Sequence, residues 1–253
     1  KYLVTSYLFI YRIDRVFSLF HITNQKMNIL GAIFPLESFI DLNNLEQSIS
    51  DHLKTSFPFA RTCLLRGDAD QCFRSLLFQA AISYARIGKR VHFYSPLSIQ
   101  TLPSLVHRLI PKSLSNANLH LIQFHYLPKL KEVHKHLIHS QCDIIIIDGY
   151  LEYPLCKQED HFRIISACAL LKDTYDYLKR EWKKNDLILL CSCTCSESIV
   201  DKRGLFDLTI PIEMLEDGDY QTNLNRNNIS CAFTFRFNQN EIMPLRVTIQ
   251  QKN

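Results

Sequence analysis

The amino-acid sequence predicts an α/β protein, with a mostly parallel sheet, helices on both faces and antiparallel strands towards the C-terminus. Three observations carry this. From Arg61 to Ser192, short apolar runs alternate with longer segments whose apolar residues recur at helical spacing. The run Ile144-Ile145-Ile146-Ile147 has no polar alternation, which suits a strand covered on both sides. After Ser192, strand-like segments follow one another with no helical pattern between them.

Taken in order, the elements begin with an amphipathic pattern from Ile40 to Leu53, with Asp41 or Asn43 as N-cap, broken at Ser56-Phe57-Pro58-Phe59. Arg61 to Leu65 reads as a buried strand ending at Gly67, and Phe73 to Ile87 as a helix stopped by Gly88. Arg90 to Tyr94 is a strand closed by Ser95-Pro96, Leu97 to Leu109 is expected to be helical, and Leu119 to Phe124 is a strand. Lys129 to Ser140 is a basic helix and Asp143 to Asp148 the most apolar strand; Phe162 to Lys183 is a long helix and Asp186 to Ser192 another strand. This alternation gives parallel strands joined by covering helices. Leu208 to Leu215, Ile229 to Phe237 and Ile242 to Gln250 complete the strands, the last two joined by a hairpin at Asn238-Gln239-Asn240.

The chain has 253 residues, 47% hydrophobic and 21% charged, a globular composition that needs no disulfide or metal to hold a core. Its net charge of +4 with ten histidines is compatible with a nucleic-acid partner without implying one. The nine cysteines have no framework-like spacing, and Cys63, Cys142, Cys191 and Cys231 fall in apolar runs, as buried free thiols of a reducing compartment would. Cys191, Cys193 and Cys195 are the alternative, a thiol metal site; on a strand all three sulfurs would share one face as packing groups. Tyr2 to Phe20 is apolar, but Arg12, Asp14 and Arg15 interrupt it, so no membrane span is expected. Lys1 is not a start methionine and Met27 is the first; the start is expected to be that of a fragment or of a translated upstream extension, with residues 1–26 non-native, residues 1–60 an N-terminal arm, and residues 61–253 one domain.

The chemistry is sought at the ends of the strands. In a P-loop protein the first strand runs into G-x-x-x-x-G-K-[ST], whose backbone amides and lysine hold phosphates and whose hydroxyl holds magnesium. The equivalent stretch is Gly67-Asp68-Ala69-Asp70-Gln71-Cys72-Phe73-Arg74. Gly67 is kept, Cys72 stands for the second glycine, Phe73 for the lysine and Arg74 for the hydroxyl. Asp68 and Asp70 would repel an anion, and Arg74 is the one substitute cation. Asp148 closes the Ile144–Ile147 run, where a carboxylate would orient magnesium at the sheet's C-terminal edge. The stretch Tyr94-Ser95-Pro96-Leu97-Ser98 has no acid where a RecA-type ATPase places its water-activating glutamate. The expected fold is therefore RecA-like, of the P-loop class, with a degenerate phosphate loop.

The sequence resembles the SWIM-type zinc-finger-associated recombinase paralogue family, the RecA-like subunit of the metazoan Shu complex. The resemblance rests on Ser75-Leu76-Leu77-Phe78-Gln79-Ala80-Ala81, on Ile122-Gln123-Phe124-His125-Tyr126-Leu127-Pro128, and on Ile144 to Leu155 with Asp148-Gly149-Tyr150-Leu151-Glu152-Tyr153. It covers about Cys63 to Ile249. It implies a nuclear homologous-recombination factor that pairs with a SWIM zinc-finger protein, binds single-stranded DNA and supports the recombinase filament alongside other paralogues. It also implies ATP and magnesium as cofactors, with Gly67 and Asp148 at nucleotide-site positions.

DNA contact would come from loops after the central strands, at Tyr150 to His161 and at Asp201-Lys202-Arg203-Gly204, where Lys202 and Arg203 adjoin a glycine. Lys129, Lys131, Lys135 and His136 form one basic helical face, and Lys179, Arg180, Lys183 and Lys184 another; either is equally a solvated surface. Three readings stay open: a non-hydrolysing scaffold, an active DNA-stimulated ATPase using Arg74, and a thiol metal protein.

Overall fold

The computed structural model describes residues 29–34, 60–67, 70–100, 103, 105–106, 116–150, 161–194, 204–226, 229–237 and 241–251. The elements in chain order are α1 (Ile29–Ile33), β1 (Thr62–Gly67), α2 (Asp70–Arg86), β2 (Val91–Ser95), β3 (Leu105–Val106), α3 (Asn116–Leu119), β4 (Ile122–Tyr126), α4 (Leu130–His139) and β5 (Ile144–Ile147). They continue with α5 (His161–Glu181), β6 (Ile188–Cys193), β7 (Leu208–Met214), β8 (Tyr220–Arg226), β9 (Ile229–Phe237) and β10 (Glu241–Gln251).

These strands form one ten-stranded sheet, in the order β3-β10-β9-β8-β7-β1-β6-β5-β2-β4. From β7 through β1, β6, β5 and β2 to β4 every neighbour is parallel. From β7 outwards through β8, β9 and β10 every pair is antiparallel. A parallel P-loop-type half extended by an antiparallel C-terminal half is the RecA-like arrangement, and the protein has a RecA-like α/β fold. Among the described residues no helix is long and apolar enough to cross a membrane.

Strand alternation sorts the core into two layers. Cys63, Leu65, Val91, Phe93, Ile144, Ile146, Ile188 and Leu190 point to one face and pack beneath α2. Leu64, Tyr94, Ile145, Ile147, Leu189, Cys191 and Cys193 point to the other, beneath α4 and α5. The four isoleucines of β5 therefore divide two and two, and all are buried, as the unbroken apolar run requires.

Three local arrangements depart from the sequence expectations. The helix expected over Leu97 to Leu109 is not found in its described residues; Leu105–Val106 is a strand paired in parallel with Glu241 and Ile242 of β10. Tyr220–Arg226 forms a strand that the sequence did not reveal, because Gln221, Asn223 and Asn225 dilute its apolar signal. Ile29–Phe34, within the expected N-terminal arm, is packed into the core: Phe34 stacks on Phe233 at 5.1 Å, and Ser83 Oγ donates to the Ala32 carbonyl at 3.1 Å. The predicted helix over Ile40 to Leu53 and the hairpin residues 238–240 lie outside the described residues. The pairing of Phe237 with Ile242 nonetheless joins β9 and β10 as an antiparallel pair.

Candidate functional site

Alternation along parallel strands decides what reaches the sheet's C-terminal edge. Ile144 and Ile146 face α2, so Asp148, two residues on, emerges on that same side. Ser95 follows Val91 and Phe93 on β2, and Ser192 follows Ile188 and Leu190 on β6, with the same parity. Their hydroxyls flank the carboxylate: Ser95 Oγ lies 3.4 Å from Asp148 Oδ2, and Ser192 Oγ 3.5 Å from Oδ1. Ser192 Oγ also accepts the Gly149 amide at 2.9 Å, and the Asp148 amide donates to the Tyr94 carbonyl at 2.9 Å. Asp148 is held from every side. Its side chain is 1% exposed.

The cation facing it is Arg74. Its Nε donates to Asp148 Oδ2 at 2.6 Å, and its side chain is 29% exposed. Arg74 stands on the first turns of α2, where a phosphate loop has its magnesium-binding hydroxyl. A working site would place a divalent ion between that hydroxyl and the strand-end acid; here a covalently attached guanidinium occupies the approach to the acid. Removing a carboxylate from water is costly unless it is paired and hydrogen-bonded, and Arg74 with the two serines meets that condition.

The remainder of the corner also works against nucleotide. Phe73, at the lysine position, is 1% exposed and lies in the apolar layer with Leu76 and Leu77; Cys72, at the second glycine position, is buried beside it. Gly67 has φ +142° and pairs in register with Ile212 of β7, and a β-carbon there would collide with the Ile212 carbonyl oxygen. The tight approach of β7 thus requires this glycine, whether or not a phosphate is bound. Residues 68–69 and the side chain of Asp70 lie outside the described residues. β6 separates β1 from β5, so the Gly67 corner is not directly beside the strand of Asp148; α2 brings Arg74 across. The residues present do not fit magnesium–ATP. Where a water-activating acid would follow β2, Ser95 instead bonds to Asp148.

Of the other candidates, Tyr150 is fully buried, with its hydroxyl donating to the Ala167 carbonyl at 2.8 Å, so it belongs to the core and not to a DNA-facing loop. Residues 151–160, Lys202 and Arg203 lie outside the described residues. His136 does not belong to an open basic face, since its Nδ1 lies 3.0 Å from Tyr94 Oη. Lys184 is likewise engaged, bonding Asp143 Oδ1 at 2.5 Å and the Cys142 carbonyl at 2.9 Å. Cys191 and Cys193 share the α4/α5 face as packing groups, and burial, then the neighbouring thiols, pushes the Cys191 thiol well above its ordinary pKa. Cys195 lies outside the described residues. Ser95 and Ser192 escaped the sequence reading, although each ends an apolar run with the same parity as Asp148.

No protein-family model and no curated protein matches this chain. Among solved structures it is similar to a KaiC-like protein of the archaeon Pyrococcus horikoshii OT3, at 10% identity and TM-score 0.46, over 74% of this chain and 90% of that one. It is also similar to the flagellar accessory protein FlaH of Methanocaldococcus jannaschii, at 15% identity and TM-score 0.46, over 79% and 95%.

Proposed function

We propose that this chain is a RecA-like subunit that works by binding partners and not by turning over nucleotide. Its role would be that of a nuclear recombinase paralogue of the Shu-complex type, joining a SWIM-type zinc-finger protein and single-stranded DNA to support the recombinase filament. The observation that carries the non-hydrolysing part is the 2.6 Å bond from Arg74 to Asp148 at the place of the magnesium site. The sequence blocks around Phe124 to Pro128 and Asp148 to Tyr153 support the recombination part.

Two experiments test the halves separately. Purified protein with magnesium and ATP, with and without single-stranded DNA, should show no turnover above a buffer blank. Turnover that disappears in Asp148→Ala would establish the active ATPase instead. For the binding half, the protein should co-purify with a SWIM zinc-finger partner and bind single-stranded DNA with a salt-dependent affinity. Replacing Lys202 and Arg203 by alanine should flatten the slope of log K against log salt by about 0.7 per lost phosphate contact. An unchanged slope removes those two residues from the interface.

A further inference from the structure

On the face of the sheet opposite Asp148, three histidines converge near the edge strand. His92 of β2 and His125 of β4 both point towards α4, since Val91, Phe93 and Phe124 take the α2 face. His136 comes down from α4 to meet them. The ring centroids of His125 and His136 are 4.2 Å apart and those of His92 and His125 4.9 Å. One ring nitrogen from each lies within 4.8 Å of one from each of the others.

We propose that His92, His125 and His136 form a binding site for a zinc-class divalent transition-metal ion. Zinc binds imidazole nitrogen at about 2.0–2.1 Å, which places tetrahedral ligands about 3.3 Å apart, so each ring has to move inward by less than about 1 Å. Two features beyond proximity point to a ligand. His125 Nε2 is buried with no hydrogen-bond partner, a cost that a metal bond would remove. Tyr94 Oη sits between the other two rings, 3.0 Å from His136 Nδ1 and 3.4 Å from His92 Nδ1, as the outer partner that orients ligating imidazoles. Burial, followed by the proximity of the other rings, holds His92 and His125 down to about 4, and burial also lowers His136. His92 is buried and His125 and His136 are half-buried, and an ion held by the three would have its fourth position for water or a donor from a partner. A bound ion would tie edge strand β4 to α4 and β2. The site shares no side chain with the Arg74–Asp148 cluster, which lies on the other face.

The test uses the whole chain, stripped with a chelator and titrated with cobalt(II) and then zinc alone. One equivalent of cobalt should bind with visible d–d bands and no sulfur-to-cobalt charge transfer in the near ultraviolet. Zinc should displace it and raise the melting temperature, and chelator should reverse that rise. His136→Gln and, separately, His125→Asn should each weaken binding at least tenfold while circular dichroism stays that of the parent. Absence of stoichiometric metal, a thiolate charge-transfer band, or unchanged affinity in both variants would overturn the proposal. If either variant misfolds, the reversible zinc-dependent melting shift of the parent chain and the cobalt spectrum still decide it.

Discussion

Arg74 and Asp148 form a pair whose members have unequal exposure, 29% and 1%. Deleting the arginine leaves a carboxylate in the interior without its guanidinium partner, whereas deleting both removes the problem with its solution. Arg74→Ala should therefore cost about 3 kcal/mol of folding stability, and adding Asp148→Ala should return part of it. A double-mutant cycle by urea unfolding measures this; additive losses would mean the bond has no energetic weight. Gly67 makes a second residue-scale prediction. Its positive φ and the Ile212 carbonyl act together, so Gly67→Ala should destabilise by at least about 3 kcal/mol, read from the shift of the denaturation midpoint. If glycine were kept there only for phosphate, stability would hardly change.

At the scale of elements, α2 explains why a phosphate loop cannot be restored by one substitution. Cys72, Phe73, Leu76, Leu77, Ala80 and Ala81 lie on its buried side, and α1 covers part of the remainder. Phe73→Lys would place an ammonium group in that layer. It should lose about 4 kcal/mol in urea unfolding and gain no affinity for a fluorescent ATP analogue. Tight binding by this variant would show that the helix start can turn over in place. The central strands of the parallel half, β1, β2, β5 and β6, were legible because each is buried on both faces and so reads as an apolar run. β8 was not, because polar residues alternate with Tyr220, Thr222 and Leu224, the described side chains that face inward, and its pairing with β7 and β9 supplies the rest. The stretch after Pro96 was misread for a related reason. Its apolar spacing fits a helix locally, but Leu105–Val106 is fixed by β10, far along the chain, and local periodicity has no access to such a partner.

At the scale of the molecule, the sequence revealed the acid and the altered loop but not their bond. Asp148 could be placed at a strand end from four isoleucines, and Arg74 at the hydroxyl position by counting from Gly67. That the two meet depends on β6 lying between β1 and β5 and on α2 crossing that gap, which is tertiary information. The histidine cluster was hidden in the same way, spread over β2, β4 and α4. Phe34 against Phe233 carries a practical consequence for anyone shortening this protein. A fragment beginning at Ala60 would lay bare an aromatic and aliphatic strip on α2 and β9 that Ile29, Leu30, Ile33 and Phe34 now screen from water. Such a fragment should bind a hydrophobic dye and elute in light scattering as aggregates, while one that also retains residues 27–59 should remain dispersed.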